Sequence, residues 1–211
     1  AAALVVSLAV CPGLAAAGET FIYNGTDQSA TQPHNKLQDD PLLGAGKKAV
    51  YPGTSLTGNN ITVNYTDNGF NAITGNFFGA YDCGANAVSG NAAILQNGIV
   101  QASLYGGYSN SGSVSHNAVT IAGGTVQASV YGGYSSHGGS VSYNTVTIAG
   151  GRFNQTVVGG YSHNGSASHN TVTISGGRFD ALVCGGFSRY GSATYNTVTI
   201  SGSPDFTNTS L

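Results

Sequence analysis

The sequence predicts an all-β fold, a parallel β-helix (β-solenoid) of about five 26–27-residue coils. Three observations predict it. The first is a shared period. An aromatic residue after a glycine pair, or after Gly-Ala in the first unit, recurs at Tyr81, Tyr108, Tyr134, Tyr161 and Phe187, with spacings of 27, 26, 27 and 26. An asparagine recurs at Asn91, Asn117, Asn144, Asn170 and Asn196, with spacings of 26, 27, 26 and 26. Gly98, Gly124, Gly151 and Gly177 keep the same beat. The second observation is a periodicity of two inside each unit, as in "NTVTI", where Thr points out while Val and Ile point in. The third is turn chemistry between these runs, with no proline from Pro52 to Pro204 to interrupt ladder hydrogen bonds.

Taken along the chain, residues 1–17 read as the remnant of a secretory signal peptide. Ala1–Val10 is an apolar run of the right length, and Ala15-Ala16-Ala17 supplies small residues for cleavage. The run is too short to cross a bilayer as a helix. Residues 18–55 lack the period and hold three of the five prolines, so they are expected to form an irregular lead-in or cap. Residues 56–203 carry the repeats, and "NNITV" at Asn59–Val63 starts the first coil. Each coil is expected to hold three short strands and three turns. One strand is the N-T-V-T-I run. A second alternates inward through Val126, Ala128 and Val130, or Phe153, Gln155 and Val157, with Gln155 as a polar intruder. "GGYS" then makes a corner, and a short third strand points Val114, Val141, Ala167 or Ala193 inward. Residues 204–211 break the pattern at Pro204 and read as a truncated tail.

A single coil cannot bury its inward Val and Ile, whereas stacked coils bury them against their own copies. Like then sits on like, giving a Tyr/Phe ladder and an Asn ladder as structural columns. Cys83 and Cys184 lie in different columns about four coils apart. At ~4.8 Å per coil that is roughly 19 Å, beyond the ~7 Å reach of a disulfide. Two unpaired thiols are therefore expected, Cys11 leaving with the signal.

Composition narrows the function. Only 7% of residues are charged and the net charge is −2, so a nucleic-acid partner lacks its basic footprint. Between Gln101 and Ser203 the sole acid is Asp180, which does not supply the carboxyl pair of a glycosidase. Arg152 and Arg178 share a column beside it and form at most a small basic strip. His116 and His169 share a column with Tyr143 and Tyr195 two coils apart, about 9.6 Å by strand spacing, too far to hold one ion. His137 and His163 lie in neighbouring turns without a third ligand. No G-x-S-x-G elbow is present. The chain is expected to have no catalytic residues, no metal site and no cofactor, and not to be an enzyme.

The coils "NTVTIAGGRFNQTVVGGYSHNGSASHNTVTISGGRF" resemble the passenger domains of bacterial autotransporters and related adhesin-like surface proteins. The resemblance covers residues 56–203 and rests on N-T-V-T-I, G-G and V-x-G-G-Y-S behind an export signal. It implies a β-helical stalk carried to the outer surface of a Gram-negative-type cell, contacting a host-cell or glycan surface. It also implies a translocator barrel in the outer membrane, belonging to a longer chain. Two alternatives stand beside this one. Thr145, Thr147, Thr171, Thr173, Thr197 and Thr199 form outward rows on one face, resembling the surface of ice-binding proteins, although exposed strand positions suit Thr in any case. A polysaccharide-binding or polysaccharide-cleaving β-helix is the other.

Overall fold

The computed structural model describes residues 18–25, 38–66 and 73–206. The signal-peptide reading of residues 1–17 and the last part of the tail lie outside these. The described chain is all-β, with parallel strands stacked one repeat apart into a β-solenoid of about five turns.

Each coil contains four strands, one more than the sequence suggests. A representative coil runs through Thr125–Val126, Val130–Ser135, Val141–Ser142 and Thr145–Ile148. Each strand pairs in parallel with its counterpart in the next coil, Val146 on Val172 and Val130 on Val157 among them. The four columns build sheets of four, six, five and seven strands.

The extra strand comes from a bend that a period-two reading misses. Val126 and Val130 are both fully buried, but the chain turns between them, leaving Gln127 exposed and Ala128 half-buried. The equivalent Gln155 is exposed at that bend, so it is no intruder in the core. "GGYS" is likewise not a corner. It lies inside the six-residue strand Val130–Ser135, and neither Gly132 nor Gly133 has positive φ. These glycines are there for close approach. A Cβ on Gly133 would sit 2.5 Å from Nδ2 of Asn144, and one on Gly132 would sit 2.4 Å from the carbonyl oxygen of Gly159. Left-handed glycines recur instead at Gly98, Gly124, Gly151 and Gly177, each at the turn after a strand of the seven-stranded sheet, with φ between 84° and 119°.

The main core runs along the axis. It is built from Val119, Val146 and Val172, from Ile121, Ile148 and Ile174, and from Phe153 and Phe179 facing Leu104, Val130 and Val157. A smaller cluster of Leu56, Ala80, Val88, Val114 and Val141 lies beyond the asparagine column.

The lead-in is more regular than expected. Thr20–Tyr23 pairs in parallel with Asn60–Val63 and extends the seven-stranded sheet by one layer. Gln38–Asp40 and Gly44–Ala49 form an antiparallel pair. The buried Asp40 carboxylate accepts from the backbone N–H groups of Leu42, Leu43 and Asn76, tying that hairpin to the first complete coil. At the other end the pattern survives Pro204. Asp205 bridges Arg178, and the ring of Phe206 stacks on Phe179 with centroids 4.9 Å apart, where the sequence suggests a break.

Candidate functional site

The asparagine column is interior and structural. Asn91, Asn117, Asn144 and Asn170 are buried. Each side-chain amide donates to the carbonyl oxygen of the next, at 2.8, 3.0, 3.0 and 3.0 Å up to Asn196. The same oxygen also accepts the backbone N–H of the preceding asparagine, as between Asn117 and Asn144 at 3.0 Å. Asn59, which the sequence reading left out of the ladder, joins it through a 2.7 Å bond to Asn91. Its 32-residue spacing hides it from a 26-residue count. Buried amides so satisfied stabilise the stack, whereas unsatisfied ones would destabilise it.

The Tyr/Phe column is also continuous. Tyr81, Tyr108, Tyr134, Tyr161 and Phe187 stack with successive centroid distances of 5.1, 5.4, 4.7 and 5.5 Å. A second aromatic column runs beside the first, without a landmark in the 26–27-residue count. Phe78, Tyr105 and Tyr131 stack at 5.0 and 5.3 Å and meet the first column edge to face. It becomes Val158 and Cys184 in later coils, which conceals it in the sequence. Access along the first column is graded. Tyr81 and Tyr108 are buried, Tyr134 and Tyr161 half-buried, and Phe187 is 44% exposed. Burial pushes the phenol of Tyr81 up to about 12, and raises those of Tyr105 and Tyr134 further. Most of this column therefore serves packing.

The Thr rows lie on the outer face of the seven-stranded sheet. Thr145, Thr171 and Thr197 are in register, as are Thr147, Thr173 and Thr199. Thr120 extends the second row by one coil, while Ala118 stands in the first. Their side chains are exposed or half-buried.

Beside these rows runs a column whose composition was legible and whose conformation was not. His116, Tyr143, His169 and Tyr195 precede the ladder asparagines and all hold φ of 55–56°. For a non-glycine residue this left-handed conformation costs roughly 1–2 kcal/mol. The bend it makes turns the following asparagine inward, between the strands Val141–Ser142 and Thr145–Ile148. The rings stack coil on coil, with centroids 5.2, 4.9 and 5.0 Å apart. Such pairs contribute about 0.5–1.5 kcal/mol each, enough to offset much of the strain.

Charge is sparse and internally compensated. Arg152 and Arg178 both bind Asp180, at 2.9 and 3.2 Å, so the expected basic strip carries its own counter-charge. Arg189 lies over the ring of Tyr190, 5.2 Å from its centroid, and His163 meets the same ring edge-on. His137 bonds through Nδ1 with the hydroxyl of Ser136 at 2.8 Å. Among the described residues no three His, Cys, Asp or Glu side chains group so as to hold a metal ion. One expectation about the cysteines fails: Cys83 is disulfide-bonded, and only Cys184 of the two is a free thiol.

No family model, curated protein or solved structure matches the chain.

Proposed function

We propose that this chain is an exported, non-catalytic segment of a cell-surface stalk, on a Gram-negative-type cell, that contacts host-cell or glycan surfaces through its outward columns. The observation that carries the reading is the register of those columns. One Thr row runs in register from Thr120 to Thr199 and the His/Tyr column from His116 to Tyr195, giving strips free of Asp, Glu, Lys and Arg rather than a single cleft. Repetition of this kind suits multivalent contact with an extended partner. The dominant carboxylate of the later coils, Asp180, is engaged by two arginines, which suits a structural role better than acid–base chemistry. The test is retention of the full 211-residue chain, displayed on beads, by epithelial cells. Thr147→Lys with Thr173→Lys should lower retention while leaving the unfolding temperature in place. Absence of retention for the parent chain would end the adhesive reading.

A second reading is favoured by the same face. Thr120, Thr147, Thr173 and Thr199 form one in-register row, a regular array of hydroxyl and methyl groups of the kind that orders water. Thermal hysteresis that the two Lys substitutions abolish would transfer the function to ice binding.

A further inference from the structure

The column before the asparagine ladder holds bulky rings where its backbone favours none. His116, Tyr143, His169 and Tyr195 sit at φ 55–56°, whereas two upstream coils place Gly58 and Gly90 there, at φ 69° and 68°. Glycine adopts this conformation freely and an aromatic residue does not. A strained conformation kept in four successive coils, with the unstrained solution present in the same chain, points to what the side chains do.

Those side chains are exposed, Tyr143 to 51% and Tyr195 to 78%. Their planes lie within 14–23° of parallel at centroid separations of 4.9–5.2 Å. Ring planes in van der Waals contact lie about 3.5 Å apart, so each ring is slipped sideways by roughly 3.6 Å relative to the next. The column is shingled, and part of each ring is left uncovered by its neighbours. Hydroxyl columns edge it on both sides. Ser115, Ser142, Ser168 and Thr194 are in register on one, and Thr145, Thr171 and Thr197 on the other. From Val141 to Ile148, and in the equivalent stretches of the other three coils, there is no Asp, Glu, Lys or Arg.

We infer that this strip binds a neutral polysaccharide lying along the solenoid axis. The apolar faces of sugar rings rest on the shingled aromatic rings, and sugar hydroxyls exchange hydrogen bonds with the flanking Ser and Thr. A basic polymer finds no carboxylate in the strip and an acidic one no Lys or Arg, so either loses hydration with little return. The assignment rests on the adhesive reading for its biological setting, but it names its own ligand class and its own residues.

The experiment is affinity electrophoresis of the full chain in native gels containing a neutral β-glucan, α-glucan or mannan, with polygalacturonate as the acidic comparison. The variant carries His116→Gly, Tyr143→Gly, His169→Gly and Tyr195→Gly. It removes every ring while installing the residue that upstream coils already use, so the fold should hold, which an unfolding curve checks. If it does not fold, the same four positions are changed to Asn, which also tolerates positive φ. At least one neutral glycan should retard the parent chain, with an apparent Kd raised tenfold or more in the variant and little effect of salt. Three results overturn the proposal: no neutral glycan retards the parent chain, the ring-free variant binds as well as the parent, or polygalacturonate binds more tightly and salt releases it. Cell retention separates the two readings. A ring-free variant that still adheres leaves the stalk reading standing on the Thr face, whereas glycan binding without cell retention leaves the strip standing alone.

Discussion

Replacing Asn144 by Ala should be among the most damaging single changes available to this chain. Asn144 is fully buried in mid-stack. Its Oδ1 accepts from the backbone N–H and the side-chain amide of Asn117, both at 3.0 Å. Its Nδ2 donates to Val114 O, Ser142 O and Asn170 Oδ1 at 3.0, 3.1 and 3.0 Å. Truncation takes from the Asn117 N–H its acceptor, and an orphaned buried donor costs about 1–3 kcal/mol. The other three bonds, one accepted by Oδ1 and two from the Nδ2 hydrogens shared among their acceptors, contribute about 0.5–1 kcal/mol each where neighbours keep second partners. The sum is about 2.5–6 kcal/mol, a large part of the ~5–15 kcal/mol that a domain has. Urea unfolding measures it, with the adjacent exposed Thr145→Ala as a control expected within about 0.5 kcal/mol. Since each coil contacts only its neighbours, hydrogen exchange should quicken first at Asn117 and nearby amides. Asn144→Asp adds a sign test. It places an oxygen where Nδ2 donated, against three acceptors, which raises the carboxyl pKa in the folded state. Its protonated form can donate again, so this variant should gain stability as pH falls through that raised value. A cost for Asn144→Ala no larger than the Thr145 control would refute the reasoning.

Three further outcomes follow from the packing. Gly133→Ala places a Cβ 2.5 Å from Asn144 Nδ2, so it should destabilise by about 1–3 kcal/mol, measured by thermal unfolding, despite a backbone conformation that alanine tolerates. Alkaline titration should show tyrosinate appearing late. Tyr81 is raised to about 12 by burial, against an unfolded value near 10. The unfolded chain releases protons first, so stability is full below about pH 10 and declines between there and about pH 12. Normal titration of Tyr81 in a chain still folded by circular dichroism would contradict this. In the native, unreduced chain a maleimide should label Cys184 slowly, since burial raises its thiol pKa, and Cys83 only after reduction. Mass spectrometry of the labelled peptides decides it.

The period was legible because each coil uses the same residue type at the same place. The two landmark columns, Tyr81–Phe187 and Asn91–Asn196, are in register as their spacing implies. What stayed hidden depends on distances that a sequence does not carry. The pair Gly132 and Gly133 looks like turn chemistry, yet its reason is the asparagine and the neighbouring backbone lying against it. Val126 and Val130 satisfy a period of two, but both face the axis only because the chain bends between them. Phe78, Tyr105 and Tyr131 form a column that loses its aromatic character after three coils, too soon to register as a repeat. The His/Tyr column could be counted from the sequence, while its left-handed backbone and its stacking could not.

The parallel, in-register stack has a consequence for economy of reach. Each coil of 26–27 residues lengthens the rod by only ~4.8 Å, whereas the same residues in a helix would extend about 39 Å. The architecture converts sequence into girth and ruled surface rather than height. Inserting one coil adds one more ring, one more pair of threonines and one more asparagine to columns already in place, without altering any neighbour. Length in such a protein is a count of identical contact stations, and duplication of a single coil changes avidity in steps while leaving the chemistry of each station as it was.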